Sequence, residues 1–421
     1  MGMDRKNSLH IINDISYDSS WSFYLRDNTL YYYKGENQHE KPKKLIDDVK
    51  LFDLSIDDKQ RVHILCVINS GELIYIMLQK DICNKKILQS FPKEVNSIEQ
   101  VRILSLGDVV HIFYDFRITG KNAKYYNYKS FIIHLYKTEH EWIQSYIGTF
   151  YKSINPKFFV DIDKNKNLYF FYLDSDQKAQ YINSLTFTKK KSKWFNWKKI
   201  KLNTNNNKLL NIIIDSNNRI HSIFANYNCM DIYYGYTESS STFNRFNKLI
   251  DCEETKSLEF SIFEFNSEIW IVWLCEEKIY YSSSKNFGET WSNILEFTSD
   301  ALEKINYSSI DCISNVSKTI SSFGFINDNE TFILGITKIP EIKNEYPDVN
   351  TDSNELFNID SIEETENKNA ETNQNLSNTN SNIENEFLDN ENSDASDILK
   401  TKEINNNSIW KKIANYLTLK E

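Results

Sequence analysis

Glycine and proline, which form many tight turns in proteins, are scarce in this chain: its 421 residues include 10 Gly and 5 Pro. The turns must therefore be formed largely by Asn, Asp and Ser, whose side chains hydrogen-bond the neighbouring backbone. Aromatic residues, in contrast, make up 14% of the chain, and hydrophobic residues make up 40%. That content is enough to fill the core of a large globular domain.

Long apolar runs are also missing. The longest, "IWIVWLC" at residues 269–275, is far too short to cross a bilayer, and no basic stretch followed by an apolar core stands near the N-terminus. We therefore expect no transmembrane segment and a protein that begins in the cytoplasm. The cysteines include no C-x-x-C pair, and the glycine motifs that cradle phosphates are absent. The sequence thus predicts neither a metal site nor a cofactor.

Negative charge is concentrated near the C-terminus. Between Lys343 and Asn405 the chain has sixteen Asp or Glu against four Lys, a net charge of −12, so the other residues together carry +2 of the total of −10. Because this segment has few apolar groups to bury, ordering it would cost more entropy than burial could offset. We predict a disordered, acidic, Asn-rich linker over residues 343–405.

Three windows of equal length align without a gap: "LFDLSIDDKQRVHILCV" (51–67), "KFFVDIDKNKNLYFFYL" (157–173) and "LLNIIIDSNNRIHSIFA" (209–225). An Asp occupies the same column in each, at positions 57, 163 and 215, and an aromatic or His column follows it at positions 63, 169 and 221. Each window is an apolar strand, a polar turn opened by Asp and a second apolar strand. This pattern predicts a β-hairpin.

Looser copies of the hairpin place His111 and Trp270 in the second column, so that the repeat interval is 48 to 58 residues. That interval is the length of a four-stranded propeller blade. A third, aromatic strand and a weaker fourth one follow, as in "KYYNYKS" (124–130) then "EWIQSYI", and in "KIYYSSS" (278–284) then "TWSNIL" (290–295). Because a ring of blades covers both apolar faces of every sheet, we predict an all-β fold over residues 1–342, a β-propeller.

Counting second strands gives seven blades, and six if the N- and C-terminal strands share one. Closure of the ring requires the two ends of the repeat region to meet. The segment "LHIINDI" (9–15) has no obvious partner in the first blade. We predict that it supplies the outermost strand of the blade begun by residues 307–338.

The stretch "SSSKNFGETWS" (282–292) follows a predicted third strand and has the spacing S-x-N-x-G-x-T-W, formed by Ser284, Asn286, Gly288, Thr290 and Trp291. It resembles the Asp-box, or BNR repeat, of sialidase-type propellers, with Asn in place of the usual Asp. The Asn keeps the side-chain oxygen that accepts a backbone N–H. The resemblance covers the box closely and the blade pattern loosely. It implies a sialidase-like propeller in which the box is a structural turn on the outer rim.

If the resemblance extended to the enzymes, a sialidase would offer three arginines to clamp a substrate carboxylate, a Tyr with a nearby Glu as nucleophile, and an Asp as acid. This chain has seven arginines, and Arg61 and Arg219 occupy matching turn positions of the repeat. The histidines at 63, 111 and 221 occupy equivalent positions in different blades and should not converge. We therefore predict no catalytic residues and a protein that is not an enzyme.

A basic patch lies in "TFTKKKSKWFNWKKIKL" (186–202), where aromatic residues are interleaved with Lys189, Lys190, Lys191, Lys193, Lys198, Lys199 and Lys201. Lysines alternating with aromatics can bind nucleic acid through phosphates and stacking. The aromatics, however, fall where other blades place Trp142 and Trp291. We favour packing residues with lysines on the solvated edge, keep an anionic partner as the alternative, and do not favour nucleic acid.

The last residues, 406–421, return to a periodic pattern, and Ile409, Trp410, Ile413, Tyr416 and Leu417 recur at helical spacing on one face. An amphipathic helix on a flexible tether binds another protein, docks on its own propeller or touches a membrane surface. We favour another protein as the partner of this docking helix.

These patterns together favour a non-enzymatic propeller scaffold that mediates protein–protein interaction through its tethered C-terminal helix. The alternative is a glycan-binding or glycan-cleaving, sialidase-like propeller. The abundance of Asn and Lys suggests a low-GC bacterium, and a scaffold of this kind would suit sporulation or cell-envelope assembly, with a spore- or envelope-associated location.

Overall fold

The computed structural model describes residues 9–337, except for 15–18, 35–40, 81, 92–94, 119–128, 139–140, 152–156, 176–179, 189–192, 203–206, 227–230, 238–244, 252–257, 276–277, 299–302, 312–315 and 328–329. These described residues form strands and turns, and the chain is all-β over this range. No helix that could cross a membrane occurs among them.

The strands follow one another in antiparallel units. The first unit contains β1 (Leu9–Asp14), β2 (Ser19–Arg26), β3 (Thr29–Lys34) and β4 (Lys43–Ile46). The second contains β5 (Val49–Ile56), β6 (Val62–Ile68), β7 (Glu72–Gln79) and β8 (Ile82–Ser90). The third contains β9 (Val95–Ser97), β10 (Val101–Leu106), β11 (Val109–Ile118), β12 (Lys129–Lys137) and β13 (Trp142–Tyr151). The fourth contains β14 (Phe158–Ile162), β15 (Leu168–Ser175), β16 (Gln180–Thr188) and β17 (Lys193–Lys201).

The remaining units repeat this order. The fifth contains β18 (Asn207–Ile214), β19 (Ile220–Asn226), β20 (Asp231–Thr237) and β21 (Arg245–Asp251). The sixth contains β22 (Leu258–Phe265), β23 (Glu268–Cys275), β24 (Lys278–Ser284) and β25 (Leu295–Phe297). The last contains β26 (Glu303–Asp311), β27 (Val316–Asn327) and β28 (Glu330–Ile333). As predicted, each of the three aligned sequence windows forms an antiparallel hairpin, β5 with β6, β14 with β15 and β18 with β19.

The described strands form six hydrogen-bonded sheets because the first and last units share one, in the order β28-β27-β26-β1-β2-β3-β4. Strand β1 pairs with β2 antiparallel and with β26 parallel, and Leu9 lies opposite Ile305 in the parallel pair. The prediction that residues 9–15 form the outermost strand of the last unit is therefore wrong. Leu9, His10, Ile11 and Ile12 are all buried, and a strand covered on both faces belongs inside a sheet rather than at its edge.

Consecutive sheets pack face to face, and a separate cluster of buried side chains fills each interface. Between the third and fourth units, for example, the rings of Phe113 and Phe170 lie 6.1 Å apart. Val272 of the sixth unit shares a core with Phe323 of β27, so the sheet of the sixth unit packs on the shared sheet. The order of contacts returns to its starting point, and residues 9–337 therefore form a β-propeller.

Two predicted strands are displaced along the sequence. In the third unit, β12 is the third strand of the sheet order β10-β11-β12-β13 and begins at Lys129. This is the end of the predicted segment 124–130, whose first five residues lie outside the described chain. The apolar residues Ile132, Ile133 and Leu135 place the strand there because they are buried. The fourth strand of the sixth unit begins at Leu295, after the polar box and its exposed neighbours. The linker 343–405 and the segment 406–421 lie outside the described residues.

Candidate functional site

The Asp at the start of the turn in each repeated hairpin hydrogen-bonds to the backbone of that turn. Asp57 Oδ1 accepts hydrogen bonds from the backbone N–H groups of Lys59 (3.0 Å) and Arg61 (2.8 Å). Asp163 and Asp215 accept the equivalent pair of backbone donors in their own turns. The third residue after each Asp adopts a left-handed conformation, with φ of 59° at Gln60, 63° at Lys166 and 61° at Asn218. The three turns share one conformation because one carboxylate satisfies the same two donors.

A buried histidine ties the first of these turns to its sheet. His63 Nε2 lies 3.0 Å from Asp57 Oδ2, and His63 Nδ1 lies 2.6 Å from the Tyr75 hydroxyl. Burial lowers the pKa of His63, and the hydrogen bond to Asp57 opposes this only in part. Burial alone would raise the pKa of Asp57, but hydrogen bonds from His63 and from the Arg61 backbone outweigh it and lower that pKa. A neutral imidazole therefore donates to a carboxylate and accepts from a phenol.

The other two histidines of the repeat lie in separate sheets. His221 reproduces both contacts, 2.9 Å from Asp215 Oδ2 and 2.7 Å from the Tyr234 hydroxyl. His111 Nδ1 instead lies 3.0 Å from His134 Nε2. Each histidine is thus held by residues of its own sheet, and these contacts do not bring the three rings together. The described part of the chain contains no group of three His, Cys, Asp or Glu side chains that could hold a metal ion.

The predicted box residues run from the last residue of β24 into the connection to β25, and they contact one another. Asn286 Oδ1 accepts hydrogen bonds from the Ser284 hydroxyl and the Thr290 backbone N–H, both at 2.9 Å, and Asn286 Nδ2 donates to Thr290 Oγ1 at 2.9 Å. Ser284 Oγ accepts the Gly288 N–H at 2.8 Å. Gly288 has a φ of 87°, which glycine adopts without a steric penalty. The polar groups of Ser284, Asn286 and Thr290 therefore hold the turn together.

Trp291, the last residue of the box, contacts the preceding sheet. Its ring lies edge-on to Tyr234 of β20, with centroids 4.9 Å apart. The same contact recurs from the start of the fourth strand in two other units, for Trp142 on Tyr75 at 5.2 Å and for Trp194 on His134 at 5.3 Å. These tryptophans join adjacent sheets, and edge-on aromatic pairs add to the free energy gained from burial.

The basic patch is only partly described. Lys193, Lys199 and Lys201 are exposed on β17, and the Lys199 ammonium lies 4.0 Å from the centre of the Tyr181 ring. Trp194 between them is buried. Lys189, Lys190 and Lys191 lie outside the described residues, as does the side chain of Lys198. The predicted docking helix, with Ile409, Trp410, Ile413, Tyr416 and Leu417, also lies outside them.

A cavity of about 590 Å³ occupies the centre of the ring. Its walls come from β5, β10, β14, β18 and β22, the strands of five sheets nearest the centre, and from β1, β26 and β27 of the shared sheet. Volumes of roughly 300–1,000 Å³ are typical of small-molecule sites. Titratable side chains from several of these strands line the cavity.

Two carboxylates in the cavity wall bind backbone groups of the next sheet. Asp53 Oδ2 accepts the Ile103 N–H at 2.9 Å, and Asp161 Oδ2 accepts the Ile214 N–H at 2.6 Å. Burial raises the pKa of both carboxyl groups. Each carboxylate covers the unpaired edge of a neighbouring innermost strand, so these groups serve to join sheets.

His10 belongs to a chain of hydrogen bonds at the same cavity. The Ser321 hydroxyl donates to Asn306 Oδ1, and Asn306 Nδ2 lies 2.5 Å from His10 Nε2. Because Asn306 uses its oxygen as the acceptor for Ser321, its amide nitrogen donates to His10. Burial lowers the pKa of His10 to about 3, and the charge of Arg102 adds to this lowering. The neutral ring therefore carries its proton on Nδ1, which is buried and has no hydrogen-bond partner among the described residues.

Two cations also line the cavity. Arg102 lies 3.6 Å from Asp53, and Lys318 lies 3.8 Å from Glu264. Both distances are longer than a hydrogen bond. Sequence reasoning missed His10, Asp53, Arg102, Asp161 and Lys318 as neighbours. The signal for two of them was a charged residue inside an apolar strand, as in "LFDLSI" and "FFVDI".

The described arginines do not form a clamp. Arg61 pairs with Asp57 and Asp108 at its hairpin turn, and Arg219 pairs with Glu289 at 3.2 Å. Arg102 is the arginine that lines the cavity within the described part of the chain. The matching turn positions of Arg61 and Arg219 therefore keep them away from a shared site.

No protein-family model matches the chain, and no curated protein matches it. Comparison with solved structures does find similar folds. The fucose-binding fungal lectin of Aleuria aurantia, a six-bladed β-propeller, is 11% identical with a TM-score of 0.42, covering 70% of this chain and 96% of the lectin. Virginiamycin B lyase from Staphylococcus aureus is 13% identical with a TM-score of 0.44, covering 78% and 95%. Trypanosoma rangeli sialidase is 7% identical with a TM-score of 0.40, covering 70% and 56%.

Proposed function

We propose that this chain is a non-enzymatic propeller scaffold that binds another protein at its outer rim. The observation that supports the proposal is the position of the exposed large hydrophobic residues. Within the described residues these are Ile82 and Ile87 on β8, and Ile294 and Leu295 at β25, each at least 50% exposed. Both strands are the last of their sheets.

Apolar side chains on an open sheet edge favour protein contacts for two reasons. Burying them removes apolar surface from water, and the unpaired backbone of an edge strand can hydrogen-bond to an added strand. Strand β8 is nine residues long, and its first six side chains are exposed. An exposed apolar edge strand of this kind promotes aggregation unless a partner covers it.

We also propose that three segments of the chain have different roles. The propeller of residues 1–342 is the scaffold, and the linker 343–405 tethers the helix of residues 406–421, which adds a second contact with the partner. The antiparallel units are the repeats of the ring, and they number seven if the two that share a sheet are counted separately. The box of residues 284–291 serves as a structural turn. Sporulation or envelope assembly in a low-GC bacterium is the setting we propose for such a scaffold.

The proposal is tested by cross-linking and pull-down of the tagged full chain from the cells that make it. Ile87→Lys on β8 is compared with Asn84→Lys, which adds the same charge at an exposed polar position of the same strand. We expect Ile87→Lys, and a chain ending at residue 405, to retain less partner than the wild type, and Asn84→Lys to retain all of it. Equal retention by all four proteins, or no specific partner for the wild type, contradicts the proposal.

Glycan binding is the second candidate, because the central cavity combines aromatic rings with polar side chains. Half-buried Phe52 and Phe159 line it beside Asp53 and Asn211. Aromatic walls with a few placed polar groups are typical of small-ligand sites. A glycan array separates the two candidates: selective binding of a glycan that Phe52→Ala abolishes favours this second function, and an array without binding favours the scaffold.

A further inference from the structure

Three of the four carboxylates that line the central cavity are already hydrogen-bonded to the protein, and the fourth, Glu99, is exposed. Asp53 and Asp161 accept backbone N–H groups of neighbouring sheets, and Asp161 Oδ1 also accepts the Ile162 N–H at 2.8 Å. Glu264 accepts the backbone N–H and the hydroxyl of Ser216, at 2.7 and 2.5 Å. Little acceptor capacity of these carboxylates is therefore left for a ligand.

Three donors of the cavity, in contrast, lack hydrogen-bond acceptors in the described part of the chain. Arg102 has five N–H groups and Lys318 has three, yet within the described part of the chain the carboxylate paired with each one lies beyond hydrogen-bond distance. Both side chains are 30% exposed. The Nδ1–H of His10 is a third donor, from a residue that is 3% exposed, and it has no partner among the described residues.

The three residues that carry these donors all line the same cavity. The charge of Arg102 lowers the pKa of His10, and the charges of Lys318 and Arg102 both oppose the effect of burial on Asp161. The other basic groups at the cavity, Lys304 and Lys157, are less available. Lys304 pairs with Glu259 at 3.0 Å, and Lys157 is exposed with contacts of its own.

We propose that the central cavity binds a small oxyanion, a molecule bearing a carboxylate or phosphate group, through Arg102, Lys318 and the Nδ1–H of His10. Two cations and a neutral donor can satisfy the several lone pairs of such a group with charge-assisted hydrogen bonds. The buried donor of His10 gains the partner that the protein does not give it. This site is independent of the protein contact proposed for the outer rim.

The experiment measures binding to the full chain by calorimetry and by the shift of the thermal midpoint. Sodium phosphate and sodium citrate are the probes, and sodium chloride at the same ionic strength is the reference. We expect at least one oxyanion to bind and to raise the midpoint above the chloride value. Binding of phosphate alone identifies a phosphate ligand, and binding of citrate alone identifies a carboxylate ligand.

Arg102→Gln and Lys318→Gln are each expected to weaken that binding by about tenfold or more. Arg26→Gln is the matched control, because Arg26 is an exposed arginine at the turn between β2 and β3, 74% exposed and paired with Asp27. It should bind like the wild type. Failure of both oxyanions to bind the wild type, or equal weakening in Arg26→Gln and Arg102→Gln, overturns the proposal.

A second measurement does not depend on whether these variants fold. The ¹⁵N resonance of His10 Nδ1 in the wild-type chain should shift when the oxyanion is added, because its proton gains an acceptor. An unchanged His10 resonance at saturating phosphate and citrate overturns the assignment of this donor.

Discussion

The indole ring of Trp291 stands edge-on to the phenol ring of Tyr234, with centroids 4.9 Å apart and planes at 81°. The Tyr234 hydroxyl in turn lies 2.7 Å from His221 Nδ1, and His221 Nε2 lies 2.9 Å from Asp215. The box of one sheet thus closes over the buried polar residues of the preceding sheet. Its position supports a structural role between sheets.

Removing the Trp291 ring should loosen this interface. We expect Trp291→Ala to lower the free energy of unfolding in urea by about 2–3 kcal/mol, below the cost of a fully buried Trp because Trp291 is partly exposed. The control is Ile294→Ala, three residues away and 51% exposed, which should change it by less than about 0.5 kcal/mol. Equal effects of the two substitutions would show that the ring does not join the sheets.

Gly288 should tolerate no side chain. A Cβ there would lie 1.8 Å from the Tyr234 hydroxyl, and its φ of +87° already disfavours other residues. We expect Gly288→Ala to cost about 3 kcal/mol or more of unfolding free energy. Gly107→Ala is the control, because Gly107 has a φ of +59° but open space around it, and should cost about 1 kcal/mol.

The same clash can be reduced in a double variant, although Cζ of residue 234 would still lie 3.0 Å from the new Cβ. In a Tyr234→Phe background the hydroxyl is gone, so Gly288→Ala should cost less there than in the wild type. An additive pair of substitutions would argue against direct contact between the two residues.

The left-handed residue of the Asp turns carries strain that glycine would relieve. Lys166 has a φ of 63°, and we expect Lys166→Gly to raise the free energy of unfolding by about 0.5–1 kcal/mol. Lys164→Gly, at an exposed position of the same turn, should instead lower it by about 0.5–1 kcal/mol. A loss of stability in Lys166→Gly equal to that in Lys164→Gly would contradict the strain argument.

His10 should make the fold sensitive to acid. Its pKa in the folded protein, lowered to about 3 by burial and by Arg102, is below the value of about 6.5 in an unfolded chain. Between these values only the unfolded chain binds the proton. This contribution to stability is therefore complete above about pH 6.5 and is lost as the pH falls, by up to about 1.4 kcal/mol per pH unit.

The measurement is urea unfolding of the wild type and His10→Asn in chloride buffers between about pH 6.5 and pH 5. We expect stability to fall less steeply with acid in His10→Asn. Asp53 and Asp161, whose pKa values are raised by burial, act with the opposite sign, but both proteins contain them and their effect cancels in the difference. Equal slopes would mean that His10 is not held neutral by the fold.

Much of the sheet structure could be predicted from local patterns. The windows that begin at residues 51, 157 and 209 each contain their own turn, because Asp57 and its equivalents bind backbone donors only two and four residues away. The box is similarly local, since Asn286 contacts Ser284 and Thr290. Such contacts depend on short spacing, which the sequence displays directly.

The cavity could not be predicted in this way. His10 and Asn306, which hydrogen-bond at the cavity, are 296 residues apart in the chain. Arg102, on the innermost strand of its sheet, and Lys318, on β27 of the shared sheet, reach one space only because the sheets are arranged in a ring. A charged residue within an apolar strand was the only local sign of this site, and it did not indicate which residues would meet there.

The sequence by itself determined the repeat, the hairpins, the turn chemistry and the all-β class, because hydrophobic alternation and short polar contacts act between near neighbours. Only the tertiary structure decided that β1 enters the middle of the shared sheet, beside β26, and that a donor-rich cavity forms at the centre. The reason is that the partner of β1 in this sheet, β26, lies near the other end of the described chain, and pairing between segments so far apart leaves no local sequence pattern.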